Sequence, residues 1–149
     1  MSYVLDASVA LRWFVHQPGS EAAAAWLRRL VDDPDLLVAP DLLRFEVFGG
    51  LSRLQPRQEK GWAARCFMRF DRLGVRSLPS TRALFERAFE LARGIRMGGY
   101  DALYLAHAES LGIPWLTADA KVLRRLGDDP RLCPLEPGGS SAPGTRLRL

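Results

Sequence analysis

The chain opens on a short apolar run, Tyr3-Val4-Leu5, which meets an acid at Asp6. Comparable runs recur as "DLLVA" at 35–39, "VRSL" at 75–78, "IPWLT" at 113–117 and "RLCPL" at 131–135. They are too short for stable helices and suit buried strands, the last at a sheet edge. Pro114 has no N–H to donate, so its strand is expected to pair only from Trp115 onward. Between the runs, apolar positions fall three and four residues apart over 7–14, 20–31, 42–54, 57–73, 80–95, 98–112 and 119–127. This spacing predicts helices, with Ser20 as the N-cap of the second and Pro40-Asp41 opening the third. Alternating strand and helix predicts an α/β fold around a mainly parallel sheet. From Glu136 the text "EPGGSSAPGTRLRL" reads as a flexible tail, so one folded domain is expected over 1–135, followed by a tail over 136–149.

Composition narrows the setting. A chain of 149 residues is long enough for one domain with a real core. No stretch approaches the roughly 18 uninterrupted apolar residues that span a bilayer. Asp6 interrupts any secretory signal region, and Cys66 and Cys133 show no paired spacing. A cytoplasmic location without membrane association is therefore expected. The net charge is +4, and 19 of the 21 basic residues are arginine. That bias reflects either a GC-rich genome or a phosphate-binding surface, since arginine forks match phosphate oxygens. A basic body around an acidic pocket would suit a polyanionic substrate.

Four acids stand out. Asp6 and Asp119 each follow an apolar run, at the strand end where open parallel sheets bind ligands. Each also suits a plain helix cap. Glu46 shares a helical sector with Leu42, Leu43, Phe45, Gly49 and Gly50, where an isolated buried charge would be costly. Gly49 and Gly50 would leave space beside it; a salt bridge to Arg44 or Arg53 is the alternative. Asp101 opens the helix "DALYLAHAESL" behind a glycine pair, where it suits either a site or the helix dipole. Four clustered carboxylates repel, so they must share protons or bind a cation. Oxygen ligands without His or Cys favour Mg²⁺ or Mn²⁺. Such an ion activates water and stabilises a leaving phosphate oxygen. His16 and His107 read as surface or structural residues, and Arg12 is one candidate for holding phosphate.

The segments "YVLDASVALRWF", "APDLLRFEVFGGL" and "YDALYLAHAESLGIPWLTAD" resemble, in order and spacing, the PIN-domain nucleases. Within them the chain is most similar to VapC-type toxins of bacterial toxin–antitoxin pairs, over about Tyr3 to Leu132. The resemblance implies a three-layer α/β/α sandwich, an Mg²⁺-dependent endoribonuclease site and a cognate antitoxin. It also favours a homodimer. It assigns the catalytic and metal-binding acids to Asp6, Glu46, Asp101 and Asp119. Ser8 and Thr117 match the family's hydroxyls beside the first and last acids; the alternatives are a helix-cap serine and an ordinary strand threonine. Two positions depart from the pattern: Gly49, where Asn is frequent, and His107, where an apolar residue is common. Rival readings are an RNA-processing nuclease without a toxin role, and a module that binds RNA or a partner without cutting. Trp26, Leu27, Leu30, Trp62, Phe67 and Phe70 either fill the core, the commoner use of such residues, or line a groove for an antitoxin segment. A haloacid-dehalogenase-like phosphatase would need a second acid where Ser8 stands.

Overall fold

Five short strands form one sheet in the computed structural model, which describes residues 1–136. They are β1 (Tyr3–Leu5), β2 (Leu37–Pro40), β3 (Arg76–Leu78), β4 (Trp115–Thr117) and β5 (Leu132–Pro134). Every pairing is parallel and the order is β3-β2-β1-β4-β5. Parallel neighbours need crossover connections, and helices supply them. These are α1 (Ala7–Leu11), α2 (Ser20–Asp32), α3 (Leu42–Leu54), α4 (Trp62–Arg72), α5 (Arg82–Ile95), α6 (Gly99–Leu111) and α7 (Ala120–Leu126).

The strand alternation divides the core in two. Tyr3, Leu5, Leu37, Ala39 and Leu116 pack with α1 to α4 on one face. Val4, Val38 and Trp115 point the other way and pack with α5, α6 and α7. The result is the expected three-layer α/β/α arrangement. In the second core Tyr104 lies flat on Trp115, with ring centroids 5.5 Å apart and planes 5° from parallel. Truncating either fully buried ring to Ala costs about 3–5 kcal/mol. No helix among the described residues is long and apolar enough to cross a membrane.

Chain order places the functional edge. The path runs from β1 outward to β2 and β3, then returns to the other side of β1 for β4 and β5. The direction of winding therefore reverses between β1 and β4, and the C-terminal ends of these strands are where open parallel sheets take their ligands. Asp6 and Asp119 follow those two strands. Trp115 opens the β4 pairing, opposite Val4, while the Pro114 carbonyl still accepts from Val4 N at 2.9 Å.

Several expectations need correction. The helix expected over 57–73 begins only at Trp62, after a 3-10 turn at Gln55–Arg57 and a left-handed Gly61 at φ 80°. The Gln55 side chain organises that detour, donating to the Glu59 carbonyl at 2.9 Å and accepting from Ala63 N at 2.8 Å. Ser20 is the first helical residue of α2 and not its cap; the N-cap is Gly19, at φ 89°. Phe45 does not face inward: it is 73% exposed, and the buried stripe of α3 is Leu43, Val47, Gly50 and Leu51. Of the aromatics proposed to line a groove, Phe70 is buried and Trp26, Trp62 and Phe67 pack against the first core. His107 is buried on α6, where its Nε2 lies 3.1 Å from Ser80 Oγ, which donates to Asp41 Oδ1 at 2.6 Å. A polar partner thus explains a histidine at a usually apolar position. The proposed tail falls outside the described residues from 137 onward.

The two helix glycines of α3 differ in purpose. A Cβ at Gly50 would lie 2.5 Å from Leu11 Cδ1, so this glycine lets α1 and α3 approach. At Gly49 nothing lies within 4 Å. Gly49→Ala is therefore expected to raise the unfolding free energy by about 1 kcal/mol through helix propensity alone. Gly50→Ala should show no such gain, because overpacking against Leu11 offsets it. Urea unfolding of both variants checks the pair; equal gains would contradict the close approach.

Candidate active site at the β1–β4 edge

Asp6 is the fixed point of the site. It is the N-cap of α1, and only 7% of it is exposed. Its Oδ2 accepts from Ser8 N at 3.1 Å, from Thr117 Oγ1 at 3.1 Å, and from the Ser8 hydroxyl at short range. Those hydroxyls face back to the other strand. Ser8 Oγ accepts from Ala118 N at 2.9 Å, and Thr117 Oγ1 accepts from Asp119 N at 3.1 Å. One carboxylate oxygen therefore gathers groups from β1, α1 and β4, while among the described residues Oδ1 accepts no hydrogen bond. Burial pushes the Asp6 carboxyl up, the Ser8 and Thr117 bonds pull it down, and the charge of Asp119 pushes it up again; it ends above the usual range.

The other acids arrive from different elements. Asp119 caps α7, its Oδ1 accepting from Lys121 N at 2.8 Å and Val122 N at 3.2 Å. For Asp6 and Asp119 the cap and the site coincide in one side chain. Asp101 lies in the first turn of α6, whose N-cap is Gly98. Burial, then the charges of Asp6 and Asp119, push its carboxyl up to about 6, against a smaller downward pull from Lys121. Glu46, half-buried on α3, is raised by burial and by Asp6 and Asp101, against opposing pulls from Tyr104 and Arg53. The four acids thus share one field. Among the described residues, however, no three acidic, histidine or cysteine side chains are gathered tightly enough to form a finished ion cage.

Sequence reasoning missed Tyr104. Its hydroxyl and Glu46 Oε1 are both buried, and each lacks a partner in hydrogen-bond geometry, although they lie near enough to influence each other's charge. Burial and then the Asp6 and Glu46 charges lift the Tyr104 phenol well above its ordinary value. The tyrosine sits in the apolar run "ALYLA" of α6, so its setting reads as core. Arg12 is committed to main-chain carbonyls near the site. It donates from Nε to the Pro18 carbonyl at 2.8 Å and from Nη1 to the Ser8 carbonyl at 2.6 Å, bracing the loop after α1.

The donor set suits a hard divalent cation. It offers carboxylate oxygens alone, including a buried Glu46 Oε1 without a hydrogen bond and an Asp6 Oδ1 spared by the bonds to Oδ2.

The PIN domain profile matches residues 3–128. The chain belongs to the PIN domain family. This PIN domain is 33% identical over 121 residues to "Ribonuclease VapC9" of Mycobacterium tuberculosis, covering 80% of this chain and 87% of the relative. The same figures hold for "VapC ribonuclease Mb0985" of Mycobacterium bovis. Among solved structures, PAE2754 from Pyrobaculum aerophilum superimposes with a TM-score of 0.69 at 20% identity, over 91% of this chain and 90% of that one. A toxin–antitoxin complex from Klebsiella pneumoniae gives 0.68 at 15% identity, over 91% and 99%. VapBC-1 from nontypeable Haemophilus influenzae gives 0.61 at 20% identity, over 90% and 96%. At these identities the structural likeness concerns the fold.

The electrostatics of the site carry over into stability. The raised Asp101 carboxyl means that the folded state binds its proton more tightly than the unfolded chain. Its ionisation therefore destabilises the fold as pH rises from about 4 to the folded value of about 6. Asp101→Asn should stabilise the metal-free protein at pH 7.5 by about 1 kcal/mol, after allowance for water around the half-exposed carboxyl. The gain should vanish below about pH 4, where the acid is neutral in both states; denaturant titrations at the two pH values check this. Thr117→Val keeps shape but removes a donor to Asp6 and an acceptor for Asp119 N. It should cost about 1–3 kcal/mol. It should also raise the Asp6 pKa further, readable by carboxyl-carbon NMR titration.

Proposed function

We propose that this PIN domain is the toxin of a toxin–antitoxin pair, a magnesium- or manganese-dependent endoribonuclease acting on RNA in the cytoplasm. The observation that supports it most is the coupling of Asp6, Glu46, Asp101 and Asp119 in one field at the crevice between β1 and β4. The curated relatives named as VapC ribonucleases, and solved neighbours that are toxin–antitoxin complexes, support the toxin role. A homodimer and an antitoxin partner belong to the same reading.

In this reading Asp6 and Asp101 hold the cation, and Asp119 and Glu46 complete the acidic wall. A bound Mg²⁺ or Mn²⁺ supplies Lewis acidity toward a phosphoryl oxygen and toward water. Ser8 and Thr117 hold Asp6 Oδ2, which fixes the carboxylate's rotation and leaves Oδ1 to the cation. Glu46 orients the attacking water from the α3 side and accepts its proton, for which an elevated carboxyl pKa is suited. One phosphorus–oxygen bond forms to water as the bond to the ribose oxygen breaks, and that oxygen leaves with a proton taken from solvent water.

Asp6→Asn and Asp101→Asn should each abolish cation-dependent cleavage of RNA, with losses of at least about a hundredfold. Circular dichroism should show the fold retained. Expression with and without the product of the adjacent gene, with mapping of cleaved cellular RNA ends, tests the toxin role. Full cleavage by both variants would refute the site. Cleavage that the adjacent gene product does not restrain would leave a processing nuclease without a toxin role.

A further inference from the structure

Beside the acidic crevice runs a strip of opposite charge. Lys121, Arg124 and Arg125 occur at spacings of three and four on α7, all exposed and adjacent to one another. Spacing of this kind puts them on one side of the helix. The ion pairs formed among the described residues engage Arg44, Arg65, Arg87 and Arg131 and none of these three. Like charges on one helical stripe repel, and Lys121 also opposes the dipole of its own helix from the first turn. Arg124 and Arg125 lie in the last turn, where the dipole favours them, so the strip gathers three like charges on one side of α7 and is favourable toward a polyanion.

Its position links it to the site. The Lys121 backbone N–H bonds to the Asp119 carboxylate at 2.8 Å, so the strip starts at one of the four acids. At the far end the Arg125 guanidinium donates to the carbonyl of Arg96. Arg96 ends α5 in the left-handed conformation at φ 60°, two residues before the N-cap of α6. This pins Arg125 against the turn that leads into Tyr100 and Asp101. Tyr100 is 68% exposed, an aromatic ring left in water directly before a site acid. The second core takes Tyr104 from the same helix but leaves Tyr100 outside.

We propose that Lys121, Arg124 and Arg125 bind successive phosphates of an RNA strand entering the acidic crevice, and that Tyr100 stacks an unpaired base of that strand. This rests on the nuclease reading and adds to it a defined track for the substrate. Basic side chains set affinity without regard to sequence, and an aromatic face accepts any base that is not paired. A duplex keeps its bases stacked and cannot use Tyr100, so the track selects single-stranded segments.

Binding is measured on the full chain carrying Asp101→Asn, so that RNA is not consumed, by fluorescence anisotropy of a labelled single-stranded oligonucleotide. Lys121→Ala/Arg124→Ala/Arg125→Ala should weaken binding at least about tenfold and flatten the salt dependence by about 2, near 0.7 for each phosphate no longer neutralised. Tyr100→Ala should weaken it about tenfold, with Tyr100→Phe restoring it. The same changes without Asp101→Asn should raise KM more than they lower kcat. The control triple Arg28→Ala/Arg69→Ala/Arg72→Ala removes equal charge from α2 and α4, on the opposite face of the sheet, and should leave affinity near wild type. Unchanged affinity and salt slope in the α7 triple overturn the proposal, as does an equal loss in the control. Loss of antitoxin binding alone, with RNA affinity kept, would assign the strip to a protein partner and also overturn it. Failure of the otherwise unsubstituted chain to cleave RNA would refute the nuclease reading, which is a separate outcome from loss or retention of binding by the strip.

Discussion

The structure depends on a carboxylate held where solvent scarcely reaches. Asp6 closes the central strand, and its Oδ2 receives donors from its own helix and from the neighbouring strand. Burying an ionised group is unfavourable unless its oxygens are satisfied, so Ser8 and Thr117 are conditions of the fold as well as of the site. Because the same two hydroxyls accept from Ala118 N and Asp119 N, fixing Asp6 also fixes the start of α7. The β1–β4 seam is thus stitched by side chains at the point where the sheet's hydrogen bonding ends.

Around that anchor the remaining acids are arranged against their own interest. Asp101, Glu46 and Asp6 all sit above their ordinary carboxyl range, with burial the first cause for each and mutual repulsion adding to it. A fold under selection for stability alone would replace one of them. Retaining this strain is sensible if a cation relieves it, which is the usual compromise between stability and activity at a functional site.

Much of this is legible in the chain, for specific physical reasons. The strand-to-acid transitions at Asp6 and Asp119 can be read because a buried strand and its terminus have short, local signatures. The alternation of strand and helix reveals the layered architecture for the same reason. Local spacing misses phase and purpose. It points Phe45 inward because α3 has buried residues on a narrow stripe and exposed aromatics beside it, so periodicity misassigns the centre. It gives Gly50 the task of making room for Glu46, yet the neighbour of Gly50 is Leu11, far back in the chain and invisible to local spacing. Ser20 has the chemistry of a cap, but its hydroxyl is already committed, accepting from Gln17 N and donating to the Val15 carbonyl. Tyr104 stays hidden because a core residue and a site neighbour carry the same pattern when one side chain serves both.

The seven successive residues Ala102 to Ala108 of α6 are all buried, so this helix has almost no wet side over that span. It behaves as a wedge driven between the sheet and α5, with the Tyr104–Trp115 stack and the His107–Ser80 contact locking its rotation and its height. Sliding it by one turn would put an imidazole into apolar packing and tear that stack apart. Asp101, riding at its tip, therefore stands on a firmly packed helix. The packing that fixes this helix thus also sets how far the Asp101 carboxylate stands from the end of β1.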